Sequence, residues 1–329
     1  MKIAVTGATG HVGANLCRTL VLQGHDVRAV CHAHTGALDG VAVEIVRADV
    51  RDPAAVDAAL AGVERVYHLA AMINIAPADE REIFDINIGG VRNVVAACLK
   101  HKVKRLVHFS SIHAFAPRPH DRPIDEERLL TYDPDMPPYD RSKAGGEREV
   151  RAGVARGLDA VIVNPTAILG PYDFGPSRMG QVLLDLYHRR LPALVDGGFD
   201  WVDVRDIVDG SIAAGDKGRT GEKYLLSGER RTVRELGQLA QEITGVRVPR
   251  FVSPMWLARV GAPFATIAAR VARKEPLFTS RSLHALRNHQ WVSHDKATRE
   301  LGYRPRTLRD TLQATYDWFG QAGMLRKAS

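Results

Sequence analysis

Two side chains with complementary proton chemistry, Tyr139 and Lys143, stand four residues apart in the chain. In a helix, this spacing puts the phenol and the ammonium on one face. A free phenol has a pKa of about 10, so it exchanges protons readily at neutral pH only when a cation or a helix N-terminus stabilises its anion. Pro137 and Pro138 precede the tyrosine, and proline favours the first helical turn. The pattern predicts a proton-transfer site in which Lys143 and the helix N-terminus acidify Tyr139.

A glycine-rich turn follows the first apolar run of the chain with the spacing G-x-x-G-x-x-G. Gly7 permits a tight turn, Gly10 lets a pyrophosphate approach backbone N–H groups at a helix N-terminus, and Gly13 lets that helix lie close to the sheet. A strand, the glycine triplet and a helix in this order are typical of a dinucleotide-binding loop. The residues expected to contact the cofactor here are Gly7, Thr9, Gly10, His11, Val12 and Gly13.

The end of the second predicted strand, at residues 27–31, bears on the choice between the two nicotinamide dinucleotides. An NAD enzyme places Asp or Glu there to accept a hydrogen bond from the ribose 2′-hydroxyl. Here His32 follows the strand, no acidic residue occurs before Asp39, and Arg28 lies within the strand. Because a carboxylate would repel a 2′-phosphate, its absence predicts that NADP(H) is favoured over NAD(H), with His32 at the phosphate.

Short β-branched apolar runs alternate with longer helical patterns through the first half of the chain. The predicted strands are 2–6, 27–31, 43–47, 65–69, 105–109 and 160–164, and the predicted helices are 12–23, 53–61, 83–101 and 138–156. This alternation predicts an α/β fold with a doubly wound parallel sheet, the Rossmann type. We expect the dinucleotide-binding domain at 1–165 with part of 200–227 returning to it, and a smaller, partly interleaved substrate-binding lobe at 166–329. Ser110 and Ser111 then follow a strand at the sheet edge where ligands bind.

Composition excludes several classes of protein. The 329 residues are 45% hydrophobic, and the three cysteines have neither disulfide nor metal-ligand spacing, so we expect a cytoplasmic protein without a metal site. The formal net charge of +7 arises within residues 251–329, which hold 13 Lys and Arg against 5 Asp and Glu. These bases are interspersed with apolar residues, which argues against nucleic acid as a partner. The basic, apolar segment 254–274 leaves contact with a membrane surface as a minor alternative.

Several motifs, taken together, resemble those of the extended short-chain dehydrogenases/reductases, the NAD-dependent epimerase/dehydratase superfamily. They occur in family order over nearly the whole chain: the Gly7/Gly10/Gly13 spacing, Asp49, His68-Leu69-Ala70-Ala71, Asn87, Ser111, Tyr139/Lys143, Pro165, Gly170-Pro171 and the stretch from Trp201 to Asp206. Residues 27–30 and 295–305 are most similar to bacterial dihydroflavonol 4-reductase-like and hopanoid-associated epimerase-like proteins. His32 departs from the arginine usual in NADP-using reductases.

The resemblance implies roles for individual residues. Tyr139 would donate a proton to a carbonyl oxygen as hydride arrives from the nicotinamide, Lys143 would lower the pKa of Tyr139 and hold the nicotinamide ribose, and Ser111 would position the carbonyl. Asn87 would brace the neighbouring helix. The further cofactor contacts implied are Asp49, Val50, Leu69, Ala70, Ala71 and Pro165. Helices 83–101 and 138–156 would form the contact of a homodimer.

Substrate contacts are expected at Ile73, Asn74, His113, Tyr172, Arg178 and Trp201. Their mainly apolar and aromatic surroundings predict reduction of a ketone or hydroxyketone on a small, largely apolar molecule. Dehydratases that resemble this fold carry an acidic pair after the catalytic hydroxyl, where Ile112 and His113 stand here, so dehydration is disfavoured. Two alternatives stay open: a nucleotide-sugar 4-epimerase with tightly held NAD, and a non-catalytic dinucleotide-binding regulatory module.

Overall fold

A computed structural model describes residues 1–73, 80–254 and 291–326. The chain divides into two compact units. The first unit comprises Met1–Pro165, Val204–Leu226 and Ser293–Arg304, and the second unit comprises Thr166–Asp203, Ser227–Val292 and Pro305–Ser329. The sequence prediction included a return of part of 200–227 but not the second return at 293–304.

In chain order, the strands are β1 (Lys2–Thr6), β2 (Asp26–Cys31), β3 (Glu44–Arg47), β4 (Arg65–His68), β5 (Arg105–Phe109), β6 (Ala160–Pro165), β7 (Ala167–Leu169), β8 (Leu194–Val195), β9 (Gly198–Asp203), β10 (Lys223–Leu226), β11 (Glu229–Thr232) and β12 (Val252–Ser253). The α-helices are α1 (His11–Leu22), α2 (Pro53–Leu60), α3 (Glu80–Phe84), α4 (Gly90–Lys100), α5 (Pro138–Val154), α6 (Arg178–Tyr187), α7 (Val204–Lys217), α8 (Val233–Thr244), α9 (Asp295–Leu301) and α10 (Leu308–Gln321).

The first unit contains a seven-stranded sheet in the order β10-β6-β5-β4-β1-β2-β3. Every neighbouring pair is parallel. The predicted doubly wound parallel sheet is therefore confirmed. Strands β5 and β6 are almost wholly buried, as expected where helices cover both faces of a parallel sheet. An apolar core that includes Leu60, Val94, Leu106 and Ile162 packs between the sheet and its helices.

One predicted helix, 83–101, has a more complex form. The chain is helical as α3, then makes a π-helical turn at Asp85–Gly89, and continues as α4. Such turns insert an extra residue into the helical ladder and often occur at functional sites. Asn87 lies in this turn, buried at 2% exposure.

The second unit has smaller sheets. Strands β11, β9 and β7 form one, with β9 antiparallel to β11 and parallel to β7, while β8 pairs with β12. Its core is rich in aromatic rings, including Trp201, Tyr316 and Phe319. None of the helices within the described ranges has both the length and the apolar character needed to cross a bilayer. Most of segment 254–274, for which membrane contact was considered, lies outside the described residues.

Candidate active site

Tyr139 lies in the first turn of α5, directly after the two prolines that begin the helix. Ser111 lies beside its hydroxyl and acts to lower the pKa of Tyr139, in favour of the phenolate. Burial acts in the opposite direction and dominates, and with the nearby Asp140 carboxylate it raises the pKa of Tyr139 to about 12. The sequence predicted that Lys143 lowers the pKa of Tyr139. In the structure, burial raises the pKa of Tyr139 by more than the contact with Ser111 lowers it.

Ser111 follows β5 by two residues and begins a short helical turn, Ile112–Ala114. Its backbone is extended, and its Oγ accepts a hydrogen bond of 3.2 Å from the backbone N–H of His113. The side chain is thus held at the carboxyl edge of the sheet, where ligands of doubly wound folds bind. Ser111 and Tyr139, far apart in sequence, lie close together here.

Lys143 lies one helical turn after Tyr139 and is 6% exposed. Its ammonium donates a hydrogen bond of 2.8 Å to the carbonyl oxygen of Phe109, the last residue of β5. Burial lowers the pKa of Lys143 to about 8, and the carboxylate of Glu147 partly offsets this effect. An amine with a pKa near neutrality can gain or lose a proton under working conditions.

Asn87 connects two parts of the site through its amide. Its Oδ1 accepts from the backbone N–H of Met72 at 2.7 Å, and its Nδ2 donates to the carbonyl of Met72 at 3.0 Å and to Oγ of Ser142 at 2.9 Å. Ser142 in turn donates to the carbonyl of Tyr139 at 2.7 Å. The geometry is that of a brace between the segment after β4 and the first turn of α5.

The glycine turn between β1 and α1 has the shape that a dinucleotide requires. Gly7 has φ +68°, and a Cβ added to it would lie 2.7 Å from the backbone nitrogen of Ala70. A Cβ on Gly13 would lie 2.2 Å from the carbonyl oxygen of Gly7. Gly10 is exposed and caps α1 without a side chain, and no acidic residue stands in the first turn of that helix. Side-chain-free backbone at the positive end of a helix fits a pyrophosphate.

The carboxyl end of β4 lies beside this turn. Thr6 Oγ1 accepts from the backbone N–H groups of Leu69 and Ala70, both at 3.2 Å, and lies 2.7 Å from Nδ1 of His68. Thr6 therefore ties the ends of β1 and β4 together. Leu69 and Ala70 are partly buried next to Gly7 and contribute backbone to the predicted cofactor site.

His32 and Asp49 lie together past the ends of β2 and β3. The His32 Nε2 is 3.4 Å from the Asp49 carboxylate, and Arg51 contacts the same carboxylate at 2.6 Å. The hydrogen bonds from Arg51 hold the pKa of Asp49 below its usual range. The sequence placed no acidic residue near the end of β2, but the fold brings the Asp49 carboxylate there. Arg51 balances its charge.

Arg28 has a structural role, so it does not support the predicted preference for NADP(H). Its guanidinium contacts Glu44 at 3.0 Å and donates to the carbonyls of Ala59 and Ala61, both at 2.9 Å. Val50 is also largely structural, because it packs in the core against Gly90. Pro165 is buried at the end of β6.

His113 lies close to the predicted proton donor. Its Nδ1 is 3.4 Å from the buried carboxylate of Asp140, and its ring meets that of Tyr139 edge-on at 5.8 Å between centroids. The sequence pattern gave no reason to expect Asp140 at the site. Asp140 is only 5% exposed, and this burial, which the sequence does not reveal, is what sets it apart from a surface carboxylate.

The other predicted substrate contacts are distributed unevenly. Ile73 is 65% exposed in the first unit, and Asn74 lies outside the described residues. In the second unit, Tyr172 is 39% exposed with its ring against Phe174 and Trp318, and Arg178 begins α6. Trp201 is 3% exposed, and its indole N–H donates to a backbone carbonyl at 2.9 Å. It is therefore a core residue and does not support the predicted substrate contact.

Two sets of buried polar residues near the site were not predicted from the sequence. One is the pair His68 and His108, neighbours on β4 and β5 whose rings stack at 5.4 Å. The other comprises Glu147, Asn164 and Lys223, which lie below Ser111. Within the described residues, no group of three or more His, Cys, Asp or Glu side chains is arranged to hold a metal ion.

A parallel sheet of this order, with a glycine turn after β1 and a Ser-Tyr-Lys set beyond β5, defines a Rossmann-type dinucleotide enzyme. The signature of the NAD dependent epimerase/dehydratase family matches residues 3–227, and the chain belongs to that family. This confirms the family resemblance found in the sequence.

Relatives and solved structures extend this result over the full length. The chain is 39% identical over 329 residues to sterol demethylase protein B of Methylococcus capsulatus, covering 99% of this chain and 100% of the relative. It is 29% identical to a putative dihydroflavonol 4-reductase of Synechocystis sp., with 98% and 95% covered. The crystal structure of gox2253 superposes with a TM-score of 0.85 at 32% identity, with 98% and 99% covered.

Proposed function

We propose that this protein is an NAD(P)-dependent oxidoreductase that reduces a ketone or hydroxyketone on a small, largely apolar substrate. The observation that carries the proposal is the placement of Ser111 beside Tyr139 at the carboxyl edge of the sheet, one helical turn from Lys143. Two hydroxyl groups that meet at this edge can both bind one carbonyl oxygen. The family supports a nicotinamide cofactor.

A nicotinamide dinucleotide, for which Gly7, Gly10 and Gly13 would provide the pyrophosphate site, would supply the hydride for reduction of the substrate carbonyl carbon. Ser111 hydrogen-bonds the carbonyl oxygen and fixes its position. Tyr139 donates its proton to that oxygen as negative charge develops, and the high pKa of this phenol suits a group that must be protonated before the reaction. Lys143 places a cation near the end of β5 that stabilises the anion left on Tyr139.

The substrate class is inferred from relatives and from exposed aromatic surface. The curated relatives reported above are named for a sterol and for a dihydroflavonol, both polycyclic and largely apolar. Tyr172 and Phe174 each expose 39% of their surface in the second unit, in keeping with an apolar ligand. We therefore propose a polycyclic ketone such as a sterol-like compound. Arg178 remains a proposed anchor for any anionic group on it.

We further propose that NADP(H) is favoured over NAD(H). The Asp49 carboxylate is neutralised by Arg51 and lies within reach of His32, so the region past β2 carries no unbalanced negative charge from it. Dissociation constants for NADPH and NADH, measured by fluorescence titration, test this directly. A clear preference for NADH contradicts it. A homodimer through α4 and α5 is likewise proposed, and light scattering of the purified protein in solution tests it.

One experiment separates the proposed reductase from its alternatives. The dinucleotide released by denaturing the purified protein is identified, and NADPH consumption is then measured against a steroid ketone, a dihydroflavonol and a nucleotide sugar. Exchangeable NADPH with turnover of an apolar ketone supports the proposal. Retained NAD without net consumption supports a 4-epimerase, and binding without any turnover supports a regulatory module. Either of these results contradicts the proposed reductase.

A further inference from the structure

A buried ion pair lies directly below the proposed active site. The Nζ of Lys223, the first residue of β10, is 2.7 Å from Oε2 of Glu147 on α5, and the two side chains are 4% and 0% exposed. We propose that this pair is a positioning device for the reaction: Glu147, held by Lys223, fixes Ser111 and supplies the negative charge that balances Lys143. The inference rests on the function proposed above and assigns further residues to it.

The link to Ser111 runs through one amide. Asn164 Nδ2 donates to Oε1 of Glu147 at 2.7 Å and to the backbone carbonyl of Ser111 at 3.0 Å. Both partners are acceptors, so the amide nitrogen must face them, and Asn164 is 0% exposed. Each Glu147 oxygen thus has its own donor. A shift of the carboxylate would move Asn164 and release the carbonyl that anchors the Ser111 turn.

Lys223 contacts the same turn from a second direction. Its ammonium lies 4.5 Å from the ring centroid of Phe115, the residue that follows the helical turn begun by Ser111. Phe115 is 0% exposed, so this cation–π contact is desolvated. Ser111 and Phe115 at either end of the turn are therefore both held by the pair, one through Asn164 and the other directly.

The link to Lys143 is electrostatic. Glu147 follows Lys143 by four residues on α5, so the two side chains leave the same helix face. The histidines His68 on β4 and His108 on β5 lie close enough to Lys143 for its charge to affect them, and Tyr139 precedes Lys143 by one helical turn. Burial holds the pKa of both histidines far below neutrality, so they stay uncharged. Glu147 is then the carboxylate that favours the charged form of Lys143.

Stability alone does not account for the pair. Two desolvated ions with apolar neighbours are seldom more stable than apolar residues of the same volume. The pair is, however, well suited to hold a polar turn and a buried lysine in a single arrangement. Removing one partner leaves the other charge buried without a counterion. The test therefore needs a variant that keeps the charge and a variant that removes both charges.

The test compares pH profiles of kcat/KM for carbonyl reduction by the full-length enzyme. In Glu147→Gln the amide oxygen can still accept from Asn164, but the negative charge that favours protonated Lys143 is lost. Lys143 should then lose its proton at lower pH, so we expect the alkaline limb of the profile to move about one pH unit toward acid. In Glu147→Asp the charge is kept and the reach is shortened, so we expect the limb to stay and kcat to fall about tenfold through misplacement of Ser111.

Control variants keep the result interpretable. Glu149→Gln lies on the same helix and breaks only the partly exposed ion pair with Arg92, so its profile should match wild type. If Glu147→Gln does not fold, the double variant Glu147→Gln with Lys223→Met removes the unpaired cation and should show a smaller shift of the limb in the same direction. Folding is checked by circular dichroism and dinucleotide binding.

The outcomes separate this inference from the proposed function. An unshifted alkaline limb in every Glu147 variant that folds, with Tyr139→Phe inactive, overturns the positioning role and leaves the reductase intact. Full activity in Tyr139→Phe overturns the proposed function itself. A shifted limb in Glu147→Gln, with the wild-type limb retained in Glu147→Asp, supports the inference.

Discussion

Ser111 lies beside the phenol of Tyr139 although one residue follows a central strand and the other begins a long helix. They lie together because α5 starts at the carboxyl edge of the sheet, next to β5. Burial at this edge raises the pKa of the phenol, so Tyr139 is held in its protonated form at neutral pH. A protonated phenol can donate a proton to a substrate oxygen.

Replacing Tyr139 by Phe should therefore abolish proton donation while leaving the fold intact. General acids contribute about 10²–10⁴-fold to rate, so we expect kcat for ketone reduction to fall by a factor in this range. NADPH should still bind, because no predicted phosphate contact is altered. Stopped-flow measurement of NADPH oxidation and a binding titration test the two halves of this prediction. A variant with the wild-type rate would disprove the role of the phenol.

The glycine turn gives a prediction about cofactor binding. Gly13→Ala places a Cβ 2.2 Å from the carbonyl oxygen of Gly7, so α1 must move away from the turn. We expect the affinity for dinucleotide to fall at least tenfold, measured by isothermal titration calorimetry. Gly89→Ala is the matched control, because a Cβ there meets no atom within 4 Å. Equal affinities in the two variants would argue against this turn as the pyrophosphate site.

Asn87 gives a prediction about stability. In Asn87→Leu the backbone N–H and carbonyl of Met72 lose a partly buried partner, and Ser142 loses a buried donor while keeping its bond to Tyr139. A buried polar group left unsatisfied costs about 1–3 kcal/mol, so we expect the free energy of unfolding, measured in urea, to fall by about 2–3 kcal/mol. Asn93→Ala, which removes one partly buried bond to the carbonyl of Val50, should cost far less. Similar losses in both variants would contradict the bracing role.

The stacked pair of His68 and His108 should make stability depend on pH. Burial lowers the pKa of His68 to about 3 and that of His108 well below its usual value, whereas an unfolded histidine titrates near 6.5. Below about pH 6.5 the unfolded chain therefore binds more protons than the folded one. Stability is complete above that pH and falls as the solution is acidified, by about 1.4 kcal/mol per pH unit for each histidine.

His108→Phe should remove one of these contributions and retain a ring beside His68. The slope of unfolding free energy against pH, measured by urea denaturation between about pH 5 and 6.5, should decrease by about 1.4 kcal/mol per unit. His34→Gln replaces an exposed histidine and should leave the slope unchanged. A slope in His108→Phe equal to that of wild type would show that His108 is not neutral in the fold.

Most of the first unit was predictable because its elements are local. Apolar runs of five residues gave six of the seven strands of the sheet, and β1, β5 and their neighbours begin and end within one or two residues of the expected positions. Tyr139, Lys143 and Gly13 could be proposed as site residues for the same reason, since spacing within one helix or turn is visible in sequence. The seventh strand, β10, fell in the loosely assigned return at 200–227.

What the sequence did not reveal depends on contacts between distant segments. Lys223 is 76 residues from Glu147, and no local pattern marks either as one half of a buried pair. Arg28 resembled a phosphate ligand by type, but its partners, Glu44 and two carbonyls of the α2 end, come from other elements. Burial decided the pKa of Tyr139, and burial is a property of the assembled fold.

The second return of the chain, Ser293–Arg304, has a consequence for biosynthesis. A nascent chain that has emerged only as far as Pro165 contains Ser111, Tyr139 and Lys143, but Glu147 would then lack Lys223, its ion-pair partner. The Lys223 strand arrives 58 residues later, and helix α9, whose Lys296 donates to Glu222 and to the carbonyl of Lys223, later still. The first unit is thus completed only after residues 293–304 have been made, and a fragment that ends at Pro165 would be a poor surrogate for it.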